Sequence, residues 1–178
     1  MKNVRIILFP ILLIGSFGAV LFWADLEAAH KNRKSSAKEA MNQLTFAFEA
    51  FFEEYQRLPL ANITPTDAIY TSKTPLMASL IGLQVAIDEN PKLLPFFEYK
   101  KAHNGKNGLI LNDSENAAEL VDPWGNPYHL LMDYDGNNQL THPRTGETLE
   151  EIRTLVWSPG PDGKTGTPEC DEDNIYSH

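Results

Sequence analysis

The sequence predicts an α+β domain carried on a long N-terminal helix. Three observations predict it. Residues 6–24 hold no charged side chain. Behind them Ala37, Met41, Leu44, Phe48, Phe51, Tyr55 and Leu58 recur at steps of four and three, the period of one helix face. The last third of the chain then turns to short β-branched and aromatic runs set between Pro, Gly, Asn and Asp, the pattern of strands and turns.

At about 1.5 Å per residue the uncharged run covers roughly 28 Å, near the ~30 Å hydrocarbon core of a bilayer. Lys2 and Arg5 precede it, and Phe22 and Trp23 close it, where interfacial aromatics are favoured. Residues 1–24 are therefore expected to be a membrane anchor or a leader. A cleaved signal peptide is the alternative, for which Leu26-Glu27-Ala28-Ala29 is a poor cleavage site. Lys31, Arg33, Lys34 and Lys38 on the far side balance Lys2 and Arg5, so the positive-inside rule gives a divided orientation.

Residues 25–58 read as a stem helix. No Gly or Pro interrupts residues 19–58, and Pro59 stops the helix. Anchor and stem can form one continuous helix of about 50 residues. Phe48, Phe51 and Tyr55 are expected to pack on the domain. Nearer the membrane, the expected partners are other copies of the same helix.

Residues 59–178 form the globular domain. Residues 60–74 read as loop, Thr74-Pro75 as the start of a short helix through Leu76, Leu80 and Leu83, and residues 100–108 as another loop. Asn112 or Asp113 can cap a further short helix through Leu120. Val121-Asp122-Pro123-Trp124-Gly125-Asn126-Pro127-Tyr128 is a turn built around one large aromatic to be buried. A strand is expected from Tyr128 to Met132, a hairpin turn at Asp135-Gly136, a weak strand near Leu140 and a better one at 154–158. Residues 158–167 can only be a structured loop.

The formal net charge is −9, and residues 162–178 carry five carboxylates and one lysine. That balance argues against nucleic acid, which needs a Lys/Arg face. The single cysteine, Cys170, excludes an intramolecular disulfide and argues against a Cys-based zinc site. Four of the five residues 169–173 are acidic and repel one another. A hard cation relieves this, and calcium accepts six to eight oxygens in irregular geometry. Asp162 with Asp171 and Asp173 can close a loop around one ion; the alternative is an acidic, solvated tail.

No catalytic constellation is present in the sequence. His30, His103, His129, His142 and His178 form no metal-ligand spacing, and no G-x-S-x-G tract or phosphate-binding glycine loop occurs. Glu53 and Glu54 are adjacent on a helix and point apart. No enzyme and no small-molecule substrate are expected.

The tract Asp122-Pro123-Trp124-Gly125-Asn126-Pro127-Tyr128, a strand, then Ser158-Pro159-Gly160-Pro161-Asp162-Gly163 and a terminal D-x-D-N-I resembles the C-terminal domain of the major pseudopilin of type II secretion. Tyr55-Gln56-Arg57-Leu58-Pro59 resembles that family's helix exit. The likeness covers the stem and residues from about 118 to 176, without a close match between. The resemblance implies a pilin-like fold, a long helix packed on a small antiparallel sheet. It implies a single-pass inner-membrane protein with its domain in the periplasm, assembling with copies of itself or other pseudopilins. It also implies a calcium-binding C-terminal loop, which falls here on Asp162, Asp171 and Asp173. One departure is that Val20 and Trp23 stand where the family carries Glu, five residues beyond Gly15 or Gly18. This speaks against prepilin-peptidase processing. It raises an alternative, a non-polymerising, membrane-tethered binding module of the same fold.

Overall fold

The computed structural model describes residues 8–61, 66–112, 114 and 116–178, with side chains described from Asp25 onward. The side chains of residues 6–24, on which the anchor rests, lie outside the described residues, as does Asp113. Among the described residues no helix is long and apolar enough to cross a membrane.

The helix α1 (Leu8–Tyr55) opens the chain. Contacts divide the chain into two units, residues 1–35 and 36–178. Within the second unit α1 buries Ala37, Ala40, Met41, Leu44, Ala47, Phe48 and Phe51, each at most 2% exposed. This is the apolar stripe of the sequence, widened by two alanines. It packs in one core with Leu76, Met77, Leu80, Leu120, Leu130, Met132 and Val156. Burial of each large side chain contributes about 1.5–3 kcal/mol, so this face ties helix to sheet. The helix stops at Tyr55 rather than at Leu58. Gln56 turns to φ +53 while its N–H still donates to Phe52 O at 2.7 Å, a left-handed cap that ends the helix before Pro59 acts.

Eight short strands follow: β1 (Ala68–Thr71), β2 (Gly108–Leu111), β3 (Ala118–Val121), β4 (His129–Met132), β5 (Gln139–Thr141), β6 (Thr148–Glu150), β7 (Thr154–Ser158) and β8 (Ile175–Tyr176). The main sheet runs β1-β4-β7-β8, antiparallel throughout, and β2-β3 and β5-β6 form two-stranded ribbons. Alternation sorts its side chains. Leu130, Met132 and Val156 enter the core shared with α1, while Leu131, Leu155 and Trp157 enter a second cluster with Leu140 and Ile152. Cores on both faces explain why all five residues of β7 are buried. A long helix packed on antiparallel sheets is a pilin-like α+β architecture.

Several local expectations give way to pairing. Where a helix through Leu120 is expected, Ala118–Val121 form the ribbon strand β3. Asn112 Oδ1 accepts from the N–H groups of Asn116 (2.9 Å) and Ala117 (3.1 Å), closing a turn that returns the chain along β2. Leu120 N–H then donates to Ser72 O (2.8 Å), and Ser72 Oγ to Leu120 O (2.6 Å). Thr74 does not cap the helix α2 (Leu76–Ile81): its Oγ1 accepts from Ala118 N–H at 2.6 Å instead. The Asp135-Gly136 turn joins β4 to β5, yet those strands pair with other partners, so it closes no hairpin. Trp124 is half-buried, whereas Trp157 is 1% exposed and is the tryptophan at the centre of a core.

Candidate metal centre

Asp122 is buried at 0% exposure and organises the turn after β3. Its Oδ1 accepts from the N–H groups of Trp124 (2.8 Å), Gly125 (2.8 Å) and Asn126 (2.9 Å). Its Oδ2 accepts from Ser158 Oγ at 2.6 Å. Four donors replace the water a buried carboxylate loses. Asn126 Nδ2 then donates to Gly160 O (2.9 Å), and Gly160 N–H to Ser158 Oγ (3.1 Å). The D-P-W-G and S-P-G-P-D-G tracts, more than thirty residues apart in the sequence, thus form one hydrogen-bonded unit.

The acidic loop grows from that unit. Asp162 is exposed, Asp171 is 5% exposed and Asp173 is half-buried. Asp162 N–H donates to Asp173 Oδ2 at 3.3 Å, bringing these two together. Asp171 is turned inward. Its Oδ1 accepts from Thr165 Oγ1 (3.1 Å), Gly166 N–H (3.0 Å) and Asn174 Nδ2 (2.7 Å). Thr165 Oγ1 in turn accepts from Trp157 Nε1 (3.3 Å), fastening the loop to β7. Gly160, at φ +70, lies so close to the loop that a Cβ there would sit 2.5 Å from Asp173 O. The buried Oδ1 of Asn174 has no hydrogen-bond partner. A free amide oxygen is one kind of ligand calcium uses, but among the described residues Asp162, Asp171 and Asp173 do not gather into a group that could hold a metal ion.

Among the described residues, the carboxylates that gather most tightly lie elsewhere. One oxygen each of Asp67, Asp133 and Asp135 lies within 4.8 Å of the others, a group that can hold a metal ion. Asp133 is 6% exposed; its Oδ1 accepts from Gly136 N–H (2.7 Å) and its Oδ2 from Asn138 N–H (2.8 Å). Asp135 holds Asn137 through its N–H (3.0 Å) and Nδ2 (2.9 Å), and Asp67 Oδ1 accepts from Tyr134 N–H at 3.3 Å. Burial, then the charge of Asp135, raises the Asp67 carboxyl above its ordinary value. Sequence reading missed this trio. The D-x-D-G-N spacing of residues 133–137 is a signal used by calcium loops, here read only as a turn. Asp67 joins it through the β1–β4 register, which sets Ala68 opposite Met132.

No family model, no curated protein and no solved structure matches this chain. Geometry and sequence pattern therefore carry the functional reading.

Proposed function

We propose that this chain is a membrane-anchored, pseudopilin-like structural subunit of a type II secretion or type IV pilus-like assembly, placed in the inner membrane with its domain in the periplasm. Its role is scaffolding rather than catalysis. One observation supports this reading above others. The two tracts that resemble the pseudopilin C-terminal domain bond to each other through Asp122 and Asn126, behind a sheet that packs on a long helix. In the same reading, calcium is held by Asp162, Asp171 and Asp173, with Asn174 Oδ1 as a further oxygen. The second reading, a tether that does not polymerise, draws on Val20 and Trp23 at the positions where the family carries Glu.

Cross-linking along α1 separates the two readings. Phe46 is 73% exposed on the stem, so Phe46→Cys in a Cys170→Ser background samples its outer face. Disulfide-linked dimers in the membrane support assembly, whereas monomer alone under oxidation refutes it and leaves the tether. Calcium is tested by melting the full chain with EDTA and with millimolar calcium. The expected result is a higher Tm with calcium, lost in Asp162→Ala and Asp173→Ala and kept in Glu172→Ala, whose side chain is exposed. Identical melting curves remove the calcium assignment.

A further inference from the structure

The net charge of the chain hides a small surface of opposite sign. Lys100, Lys101 and Lys106 fall within seven residues, and no acid occurs in residues 100–107, in a chain of net charge −9. All three lysines are exposed, and with His103, Asn104 and Asn107 they line an open recess of about 650 Å³. Among the described residues the ion pairs are Arg57–Glu89, Lys73–Glu119, Lys92–Glu54 and Arg153–Glu49, none of which uses these lysines. The loop is a defined structure. His103 and Lys106 exchange backbone hydrogen bonds of 3.0 and 3.1 Å across Asn104 and Gly105, both at positive φ. Lys100 Nζ lies 5.4 Å from the centre of the Tyr99 ring.

The basic loop and the acidic loop flank one turn of the same copy. A Cβ on Gly125 would meet Gly105 O at 3.1 Å and Lys106 Cγ at 3.5 Å. A Cβ on Gly163 would meet Asn126 Oδ1 at 2.8 Å. In the acidic loop, Asp171 is occupied inward, while Glu169 and Glu172 are exposed and take part in none of the ion pairs named above. A copy that carries loops of both signs fits another copy of itself, because opposite loops attract while like loops repel. An extended anionic surface fits less well, since the net charge of −9 opposes it.

We propose that the loop from Lys100 to Lys106 docks against Glu169 and Glu172 of a second copy of this chain. The contact rests on the assembly reading above and deepens it by naming the surfaces that meet. Exposed ion pairs are individually weak, so this contact sets the register of copies that the stem holds together.

The test uses the full chain in its membrane. His103→Cys places a thiol in the basic loop, and the native Cys170 already lies in the acidic one. Oxidation or a short bis-maleimide is expected to give a covalent dimer, distinguished by mass from any link within one copy. Dimer yield falls severalfold as salt rises from about 0.05 M to about 0.5 M, where screening shortens the reach of exposed charges. Lys101→Glu with Lys106→Glu abolishes it, and adding Glu169→Lys with Glu172→Lys restores it. The Phe46→Cys stem link is measured in parallel. Stem dimers without 103–170 dimers overturn this proposal and leave the assembly reading standing; loss of both overturns both. A 103–170 dimer indifferent to salt and charge reversal also overturns it. So does a basic loop that gives no such dimer but binds phosphatidylglycerol vesicles through its lysines.

Discussion

Replacing Asp122 by alanine tests whether the two tracts are held together by one carboxylate. The substitution removes the acceptor of three N–H groups and of the Ser158 hydroxyl. Trp124, Gly125 and Asn126 are half-buried, so water can partly replace the lost acceptor, at about 0.5–1 kcal/mol each. Ser158 is 0% exposed, and an orphaned hydroxyl there costs a further ~1–3 kcal/mol. The sum is on the order of 4 kcal/mol, a large part of the ~5–15 kcal/mol that holds a domain folded. For a chain of this size that lowers Tm by roughly 8–16 °C. Asp122→Asn keeps the oxygen facing the three N–H groups and disturbs only the Ser158 contact, so its expected cost is about 1 kcal/mol. The assay is thermal unfolding of the full chain, followed by circular dichroism and tryptophan fluorescence. An alanine variant melting within about 2 °C of wild type refutes the assigned role. So does an asparagine variant as damaged as the alanine one, because charge rather than acceptor geometry would then dominate.

Gly160→Ala forces a Cβ to within 2.5 Å of Asp173 O at a φ of +70, so it should destabilise the loop by about 1–3 kcal/mol, visible as a lower melting temperature and faster proteolysis near residue 165. Asp67 is a carboxyl raised from 3.8, so its ionised form is penalised in the folded state. That penalty is present above the folded value and lifts as pH falls. Without divalent ions Asp67→Asn should therefore raise Tm at neutral pH, and a lower Tm would refute a net penalty from burial and the Asp135 charge. His129 stacks on Trp157 at 5.3 Å, and His142 packs on Tyr176 at 4.4 Å. Burial holds both imidazoles below 6.5, and for His142 nearby Glu147 and Asp171 pull upward while Arg144 pushes down. Their neutral forms favour folding, a contribution full above 6.5 and lost as pH drops below it. His142 Nδ1 also accepts from the N–H groups of Arg144 and Thr145, both at 3.2 Å, which protonation there would end. Melting curves on acidification should show this loss, and His142→Gln should flatten it.

The stem face was legible because helical periodicity is a local property. Residues three and four apart share a side whatever the rest of the chain does, and Ala37 through Phe51 are buried as the stripe foretold. Turn chemistry is equally local, so the loops around Asp122 and Gly160 could be placed from Asp, Pro, Gly and Asn alone. Strand pairing is not local. Ala68–Thr71 and Ala118–Val121 are four residues each, and neither alternates clearly enough to announce itself. Both became strands because Ser72, Leu120 and Tyr128 bond across long stretches of chain. Asp67 met Asp133 and Asp135 for the same reason. Local residue types chose the helix face and the bends, while long-range pairing in the folded chain chose which distant oxygens came together. That choice depends on loop closure and a shared core, and neither is written in any short run of residues.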